Sequence, residues 1–344
     1  MGLKTRKELP TPLEMQERVP LPLHLKAVKE KRDLELRDLI KGKDERFLVV
    51  IGPCSADDED KISEYLNLLS VVNEKVKDKL FIVPRIYTNK PRTTGEGYKG
   101  ILHSPDPTSK PNMADGIEAI RRMHVRCIKE TGLAAADEML YPDNLVYCED
   151  LLGYIAVGAR SVENQQHRLT VSGVDIPVGL KNPTSGDLSV MFNGIQAAQT
   201  AHTFIYRNYE VETEGNPLSH AILRGSVSRH GEDIPNYHYE DLEKAAELYK
   251  NRNLEFPMIV VDTNHANSGK KYKEQVRIAK DILYTRNHHS DIKAVVRGLM
   301  IESYLIEGRQ DINGSSYTRG QSITDPCLGW EDTEKLLYYI ADNV

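Results

Sequence analysis

The chain lacks any apolar run of the ~18 residues that a membrane-spanning helix needs, and its mean hydropathy is −0.49. The first ten residues, MGLKTRKELP, also lack the apolar core of a secretory signal. Only four cysteines occur in 344 residues, Cys54, Cys127, Cys148 and Cys327, too few for a disulfide framework. We therefore expect a soluble, cytoplasmic protein whose cysteines are reduced thiols or metal ligands.

An excess of positive charge is also absent. The formal net charge is −6 at pH 7, the pI is near 6.0, and lysines and arginines are scattered along the chain rather than gathered in a tail. We expect neither nucleic acid nor a membrane as a partner. Any anionic ligand must therefore bind at a local cluster of basic side chains.

Beyond residue 46, short apolar runs alternate with stretches of helical periodicity. The predicted strands are 47–53, 80–87, 132–140, 155–161, 176–182, 202–208, 257–263 and 294–303. Eight apolar strands, each followed by a helix, are typical of an α/β protein with a (β/α)8 TIM barrel, because parallel strands are buried on both faces. A doubly wound sheet could also contain eight strands.

Two segments fall outside this repeat. Residues 1–46 contain four early prolines and a charged amphipathic helix over 23–41, which indicates an N-terminal arm for oligomer contacts or regulation. The catalytic barrel would then comprise residues 47–344. Residues 208–226 predict a β-hairpin inserted after the sixth strand, with its turn at 214–216.

Four residues that can bind a metal or move a proton follow apolar runs. They are Cys54, His265, Glu302 and Asp325. A barrel would gather them at one rim, and a mixed S, N and O ligand set favours a first-row divalent metal. Alternatively, Cys54 is a small core residue, His265 is a hydrogen-bonded buried histidine, and the carboxylates are partners of nearby arginines.

Basic residues occupy the same kind of position. They are Arg85, Arg160, Lys181 and Arg224 at strand ends, with Lys90, Arg92 and Thr93 in the loop after the second strand. Burying several cations together is costly unless anions meet them, which predicts a phosphate or carboxylate ligand. The alternative is that these cations are solvated or form structural ion pairs, with Glu138 as one of their partners.

The motifs IGPCS, KPRTT, GAR, HANS, ESYL and SITDPCLGWEDT occur in this order. On the basis of these motifs, the chain resembles the class I (type Iα) 3-deoxy-D-arabino-heptulosonate 7-phosphate (DAHP) synthases from about Lys7 to its C-terminus. The resemblance implies a transferase that condenses phosphoenolpyruvate with erythrose 4-phosphate and water, the first step of the shikimate pathway. The sister synthase that uses arabinose 5-phosphate lacks the KPRT motif, and a barrel that survives only as a regulatory protein is a second alternative.

The resemblance also implies a role for each candidate residue. A divalent cation (Mn²⁺, Fe²⁺, Co²⁺ or Zn²⁺) would be held by Cys54, His265, Glu302 and Asp325. The phosphate and carboxylate of phosphoenolpyruvate would be held by Arg85, Lys90, Arg160, Lys181 and Arg224. Glu138 would lie near the attacking water, and Arg92 and Thr93 would bind the aldose phosphate. We also expect a lowered pKa for Lys90, which would then donate a proton to the developing alkoxide.

Assembly and regulation are implied in the same way. Relatives use the N-terminal arm and the hairpin for subunit contacts, in a homodimer or homotetramer, and for binding an inhibitory aromatic amino acid. Asp175 and Tyr206 are larger or more charged than the small polar residues expected around that pocket, so insensitivity is an alternative. Cys327 lies two residues after Asp325, and we expect it to form a disulfide with Cys54 when the metal is removed.

Overall fold

A ring of eight parallel strands forms the centre of the computed structural model, which describes residues 2–92, 95–106, 110–312 and 317–344. The strands are β1 (Phe47–Gly52), β2 (Leu80–Pro84), β3 (Ala136–Glu138), β4 (Tyr154–Val157), β5 (Val178–Lys181), β6 (Ser219–Leu223), β7 (Ile259–Asp262) and β8 (Val296–Glu302). Ladders join them in the order β2, β1, β8, β7, β6, β5, β4 and β3. A bridge between Arg85 and Ala136 closes the ring, so the predicted (β/α)8 barrel is confirmed.

The strands are short and apolar because both of their faces are covered. All six residues of β1 and all five of β6 are buried. The surrounding helices are Pro12–Arg18, Leu23–Ile40, Glu59–Val76, Met113–Thr131, Pro142–Leu145, Gln165–Gly173, Leu188–Ala198, Tyr239–Arg252, His265–Ser268, Glu274–His288, Ser290–Val295 and Trp330–Asn343. In the part of the chain that the structure describes, no helix is long and apolar enough to cross a membrane.

The hairpin lies before the sixth barrel strand, so its predicted place after that strand was wrong. His202–Tyr206 pairs antiparallel with Tyr209–Thr213, outside the barrel. Residues along the first of these strands alternate between partly buried and exposed, whereas Ser219–Leu223 is fully buried and forms β6. Arg207 and Asn208 both have positive φ, the conformation of a tight two-residue hairpin turn. The expected turn at 214–216 does not form.

The N-terminal helix Leu23–Ile40 packs against the interior of the barrel. Its buried residues Leu36, Leu39 and Ile40 join an apolar cluster with the inward side chains of the strands. The Arg32 guanidinium lies 3.8 Å from the centre of the Phe81 ring, a cation–π contact that adds to this packing. The helix therefore covers one end of the barrel and leaves the rim at the strand carboxyl ends for chemistry. The division into an arm of 1–46 and a barrel of 47–344 stays a prediction.

Candidate active site

Three of the four predicted metal-ligand side chains meet at the carboxyl ends of the strands. Cys54 follows β1, Glu302 ends β8, and Asp325 lies in the segment after β8. One ligand atom from each of them lies within 4.8 Å of the other two. Residues separated by 271 positions therefore converge because parallel strands end at one rim.

His265 lies beside this group rather than within it. Its Nε2 atom is 3.8 Å from Glu302 Oε1, and its Nδ1 atom is 2.8 Å from Asp262 Oδ2. A carboxylate on one ring nitrogen orients the imidazole and leaves the other nitrogen for a ligand, as in many metal sites. The four donors form a sulfur, nitrogen and oxygen set that fits a first-row divalent cation.

Glu302 is held by a fully buried ion pair. Arg85 Nη1 donates to Glu302 Oε1 at 2.5 Å, and the side chains of both residues are at most 1% exposed. Asn264 Nδ2 donates to the other carboxylate oxygen at 2.6 Å. Burial alone would raise the pKa of Glu302, but Arg85 and His265 outweigh burial and hold it below its ordinary value. Glu302 is therefore ionised at neutral pH.

Lys90 reaches into the same cluster, with its Nζ atom 3.0 Å from Cys54 Sγ. The expected lowered pKa of Lys90 was wrong. Burial disfavours its charge, but Cys54, Glu302 and Glu138 outweigh burial and raise the pKa of Lys90. Burial and the charge of Glu302 in turn raise the pKa of the Cys54 thiol. Lys90 is therefore a cation at neutral pH and carries a proton that it can donate.

Asp325 is also held ionised by its neighbours. Burial would raise its pKa, but His265 and Lys270 lower the pKa of Asp325 to about 2. Lys270 Nζ donates to Asp325 Oδ1 at 3.1 Å. Both carboxylates of the group therefore keep a negative charge across the neutral pH range, which is the state that binds a cation.

The predicted basic residues differ in whether they have an anionic partner. Lys181 Nζ lies 3.1 Å from Asp262 Oδ2, in a pair that is at most 5% exposed. No ion pair holds Lys90, Arg160 or Arg224 within the described ranges. Burial lowers the pKa of Arg224, an effect that Asp262 opposes and Arg160 reinforces. Positive charge that the protein leaves uncompensated is what an anionic ligand needs.

The remaining candidates lie around the same rim. Glu138 ends β3. The backbone passes close to its carboxylate at Gly158, because a side chain there would place its Cβ atom only 2.2 Å from Glu138 Oε1. Arg92 Nε donates to the carbonyl of Tyr98 at 2.8 Å. Thr93 lies outside the described residues.

Asp262 was not predicted from the sequence. Its carboxylate contacts both a basic residue, Lys181, and a candidate metal ligand, His265. Its Oδ2 atom lies 3.1 Å from Lys181 Nζ and 2.8 Å from His265 Nδ1, and the side chain is completely buried. His265 and Lys181 lower the pKa of Asp262 against the effect of burial. The signal was present, because Asp262 closes the apolar run IVVD in the same way that Glu302 closes β8.

Residues 20–338 match a family model described as the DAHP synthetase I family. The chain belongs to this family. A phospho-2-dehydro-3-deoxyheptonate aldolase from Haemophilus influenzae is 39% identical over 340 residues, covering 97% of this chain and 91% of that protein. A Phe-sensitive enzyme of the same name from Escherichia coli K12 is 36% identical over 350 residues, and a Trp-sensitive one is 35% identical over 344 residues. The E. coli matches cover at least 98% of this chain and 95% of either relative.

A solved structure supports the same family membership. The phospho-2-dehydro-3-deoxyheptonate aldolase of Francisella tularensis SCHU S4 superposes with a TM-score of 0.92 at 32% sequence identity. The match covers 100% of this chain and 98% of that one. The fold of that enzyme is therefore shared over the whole length of this chain.

The proximity of Cys327 to Cys54 generates a redox prediction. Cys327 Sγ accepts from the Cys54 backbone N–H at 3.4 Å, and both cysteines are buried. After removal of metal, copper and oxygen should inactivate the parent enzyme, and a thiol reductant should restore its activity. Cys327→Ser should keep its activity for much longer under the same treatment.

Cys148→Ser serves as the control, because Cys148 is a buried thiol on a different segment. It should lose activity as fast as the parent. Mass spectrometry of non-reduced peptides would identify the bond. Equal rates of loss in Cys327→Ser and the parent would refute the disulfide.

Proposed function

We propose that the chain condenses phosphoenolpyruvate with erythrose 4-phosphate and water to give DAHP and inorganic phosphate. One observation carries the proposal beyond family membership: the metal-type donors of Cys54, Glu302 and Asp325 lie beside a cation, Lys90, that no carboxylate pairs with in the described ranges. Such a rim can bind an aldehyde on one side and a phosphorylated enol on the other. The reaction makes the protein a transferase, 3-deoxy-7-phosphoheptulonate synthase.

Cys54, His265, Glu302 and Asp325 would hold a divalent cation, Mn²⁺, Fe²⁺, Co²⁺ or Zn²⁺. The donor set fits, since thiolate, imidazole and carboxylate together suit first-row metals better than magnesium or calcium. When bound, such an ion supplies Lewis acidity that polarises the aldehyde carbonyl. Asp262 would orient His265, because its carboxylate lies 2.8 Å from the second ring nitrogen.

The cations would hold phosphoenolpyruvate. Arg160 and Arg224 have no carboxylate partner in the described part of the chain, so their guanidinium groups are free to bind phosphate bidentately. Lys181 and Arg85 would add charge around the carboxylate while they remain paired with Asp262 and Glu302. Their charges would also stabilise the negative charge on the phosphate as it leaves.

Four further residues would serve the chemical steps or hold the aldose. Lys90 would donate its proton to the alkoxide that forms when C3 of phosphoenolpyruvate attacks the aldehyde, a role that its raised pKa still permits because the ammonium is the donor. Glu138 would orient the water that adds at C2. Arg92 and Thr93 would bind the aldose phosphate and set the distance from it to the carbonyl.

Metal dependence is the first test of this assignment. The parent enzyme should consume phosphoenolpyruvate with erythrose 4-phosphate, lose activity in EDTA, and recover it with Mn²⁺, Fe²⁺, Co²⁺ or Zn²⁺. Cys54→Ala should not recover, because a ligand is missing, whereas Cys148→Ala should recover like the parent.

The same assay separates the alternative functions. Faster consumption with arabinose 5-phosphate would favour the sister synthase. No consumption with either aldose, at any metal, would favour a regulatory barrel without catalysis.

Lys90→Ala tests the proton donor. We expect kcat to fall by about 10²- to 10⁴-fold, the usual contribution of a general acid, while the bound metal measured by equilibrium dialysis stays the same. Lys99→Ala is the matched control, because this exposed lysine lies on the same loop. An unchanged kcat in Lys90→Ala would exclude the role.

We further propose that an aromatic amino acid regulates the enzyme through a cavity far from the rim. The cavity has a volume of about 590 Å³ and is lined by the N-terminal helix, the helix Gln165–Gly173 and the hairpin. The relatives named Phe-sensitive and Trp-sensitive support an effector of this class. Here Arg37 Nη1 pairs with Asp175 Oδ1 at 2.6 Å, and Arg37, Asp175 and Tyr206 all line the cavity.

Isothermal titration with phenylalanine, tyrosine and tryptophan tests that regulation. Because the large side chain of Tyr206 lines the cavity, we expect weaker binding to the parent than to Tyr206→Ser, which would enlarge the cavity. Tyr284→Ser, at an exposed position on another helix, is the control. Tight saturable binding to the parent would show instead that the cavity accepts the effector as it is.

The arm of residues 1–46 and the hairpin are also our proposed subunit contacts, in a homodimer or homotetramer. Both elements lie outside the ring of barrel strands, and the hairpin exposes Ile205 and Tyr209. Large exposed apolar side chains on a two-stranded extension are typical of an assembly surface. Sedimentation velocity of the full chain and of a hairpin variant with Ile205→Ser would measure the contribution.

A further inference from the structure

Three cations of the rim lie over one aromatic ring, that of Tyr87. The guanidinium carbon of Arg85 is 3.9 Å from the ring centre, and the Nζ atoms of Lys90 and Lys181 are each 5.9 Å from it. These distances are within the ~6 Å over which the π electrons of a ring attract a cation. Tyr87 is completely buried, so the attraction acts away from water, where it is stronger.

The three cations come from separate parts of the barrel. Arg85 follows β2, Lys90 is in the loop after that strand, and Lys181 ends β5. Around the ring of strands, β3 and β4 separate β2 from β5. The side chain of Tyr87 is therefore a point at which cations from distant strands converge.

The position of the Tyr87 ring is fixed at both ends of the residue. Its backbone carbonyl accepts from the Ala56 N–H at 2.9 Å, and the N–H of the next residue, Thr88, donates to Asp137 Oδ1 at 2.9 Å. The phenol hydroxyl donates to Met300 Sδ at 3.7 Å, and the ring packs in the apolar cluster of the barrel interior. The cations can therefore be positioned against a surface that does not itself move.

A neutral ring attracts cations without adding negative charge to the site. Arg85 and Lys181 are each paired with one carboxylate, Glu302 and Asp262, whereas Lys90 has no such pair in the described segments. A further carboxylate would compensate these cations, but it would also repel an anionic ligand. The ring reduces the cost of gathering like charges in a buried place and leaves their positive charge available.

We propose that Tyr87 is a positioning residue, whose ring holds Arg85, Lys90 and Lys181 by cation–π attraction in the arrangement that receives phosphoenolpyruvate. The inference rests on the proposed function of these three cations. Because they are gathered before the substrate arrives, less of the binding free energy is lost in ordering them. The ring itself takes no part in the chemical steps.

Binding of phosphoenolpyruvate to the Mn²⁺-loaded enzyme, measured by isothermal titration without the aldose, tests the proposal. Tyr87→Leu keeps an apolar side chain but removes the ring, so the Kd for phosphoenolpyruvate should rise roughly tenfold, as expected when desolvated cation–π contacts are lost. Tyr87→Phe keeps the ring and removes only a hydroxyl that donates to a weakly accepting sulfur, so its Kd should stay within about twofold of the parent value.

Fluorination of the ring supplies a readout that a space-filling role would not change. Fluorinated phenylalanines, incorporated genetically in place of the phenylalanine of Tyr87→Phe, withdraw π electrons step by step with each added fluorine and change the size of the ring little. If the ring attracts the cations, the Kd for phosphoenolpyruvate should rise with each added fluorine. This series also decides the question if Tyr87→Leu fails to fold.

Two comparisons separate positioning from a general loss of packing. Tyr154 lies in the same apolar cluster, and its hydroxyl is 2.8 Å from His220 Nε2. Tyr154→Leu should therefore lower the midpoint of thermal unfolding without weakening the binding of phosphoenolpyruvate. In Tyr87→Leu, the KM for erythrose 4-phosphate should not change, because the proposed aldose ligand Arg92 is held by the Tyr98 carbonyl instead.

Any of three results would overturn the inference: a Kd that does not change with fluorination, equal losses of affinity in Tyr87→Leu and Tyr154→Leu, or a folded Tyr87→Leu enzyme that binds phosphoenolpyruvate as tightly as the parent. A parent enzyme that does not turn over phosphoenolpyruvate with erythrose 4-phosphate would instead refute the proposed function, so the two failures are distinguishable.

Discussion

The buried ion pair between Arg85 and Glu302 is the constraint on which the rest of the rim depends. Arg85 follows β2 and Glu302 ends β8, and β1 lies between these two strands. Removing one partner of such a pair costs about 3–5 kcal/mol, because the other charge stays buried and unpaired. The pair also requires close backbone packing, since a Cβ atom at Gly52 would lie 2.3 Å from the Arg85 carbonyl. The ends of three strands are thus fixed together.

Three carboxylates near the rim are each paired with a cation, and the cations outnumber the carboxylates. Glu302 meets Arg85, Asp262 meets Lys181, and Asp325 meets Lys270. Lys90, Arg160 and Arg224 remain without a carboxylate in the residues that the structure describes. Each paired carboxylate keeps its charge in spite of burial, and the unpaired cations leave a surplus of positive charge among these residues. A protein of net charge −6 can thus bind anionic substrates through a local field.

Much of this could be predicted from the sequence, because barrel strands are local apolar runs and the rim follows from where they end. Cys54, His265, Glu302 and Asp325 were predicted to meet on that basis; Cys54, Glu302 and Asp325 do lie together, and His265 lies beside them. The hairpin was misplaced because 202–208 is rich in strand formers, whereas Ser219–Leu223 contains only Ile222 of that kind and is distinguished as a barrel strand by its complete burial. The direction of the Lys90 pKa shift depends on which charges surround the ammonium, and no local pattern contains that information.

The barrel is closed unevenly. Seven of its joints are ladders, but β2 and β3 meet through the single bridge of Arg85 and Ala136, just where the chain leaves for the loop that carries Lys90 and Arg92. Side chains complete that joint, with the Thr88 backbone N–H donating to Asp137 Oδ1 at 2.9 Å. The barrel is therefore a sheet whose two edge strands, β2 and β3, are joined by residues that also surround the candidate site. Any change that separates β2 from β3 would therefore also displace Arg85 and the loop that carries Lys90.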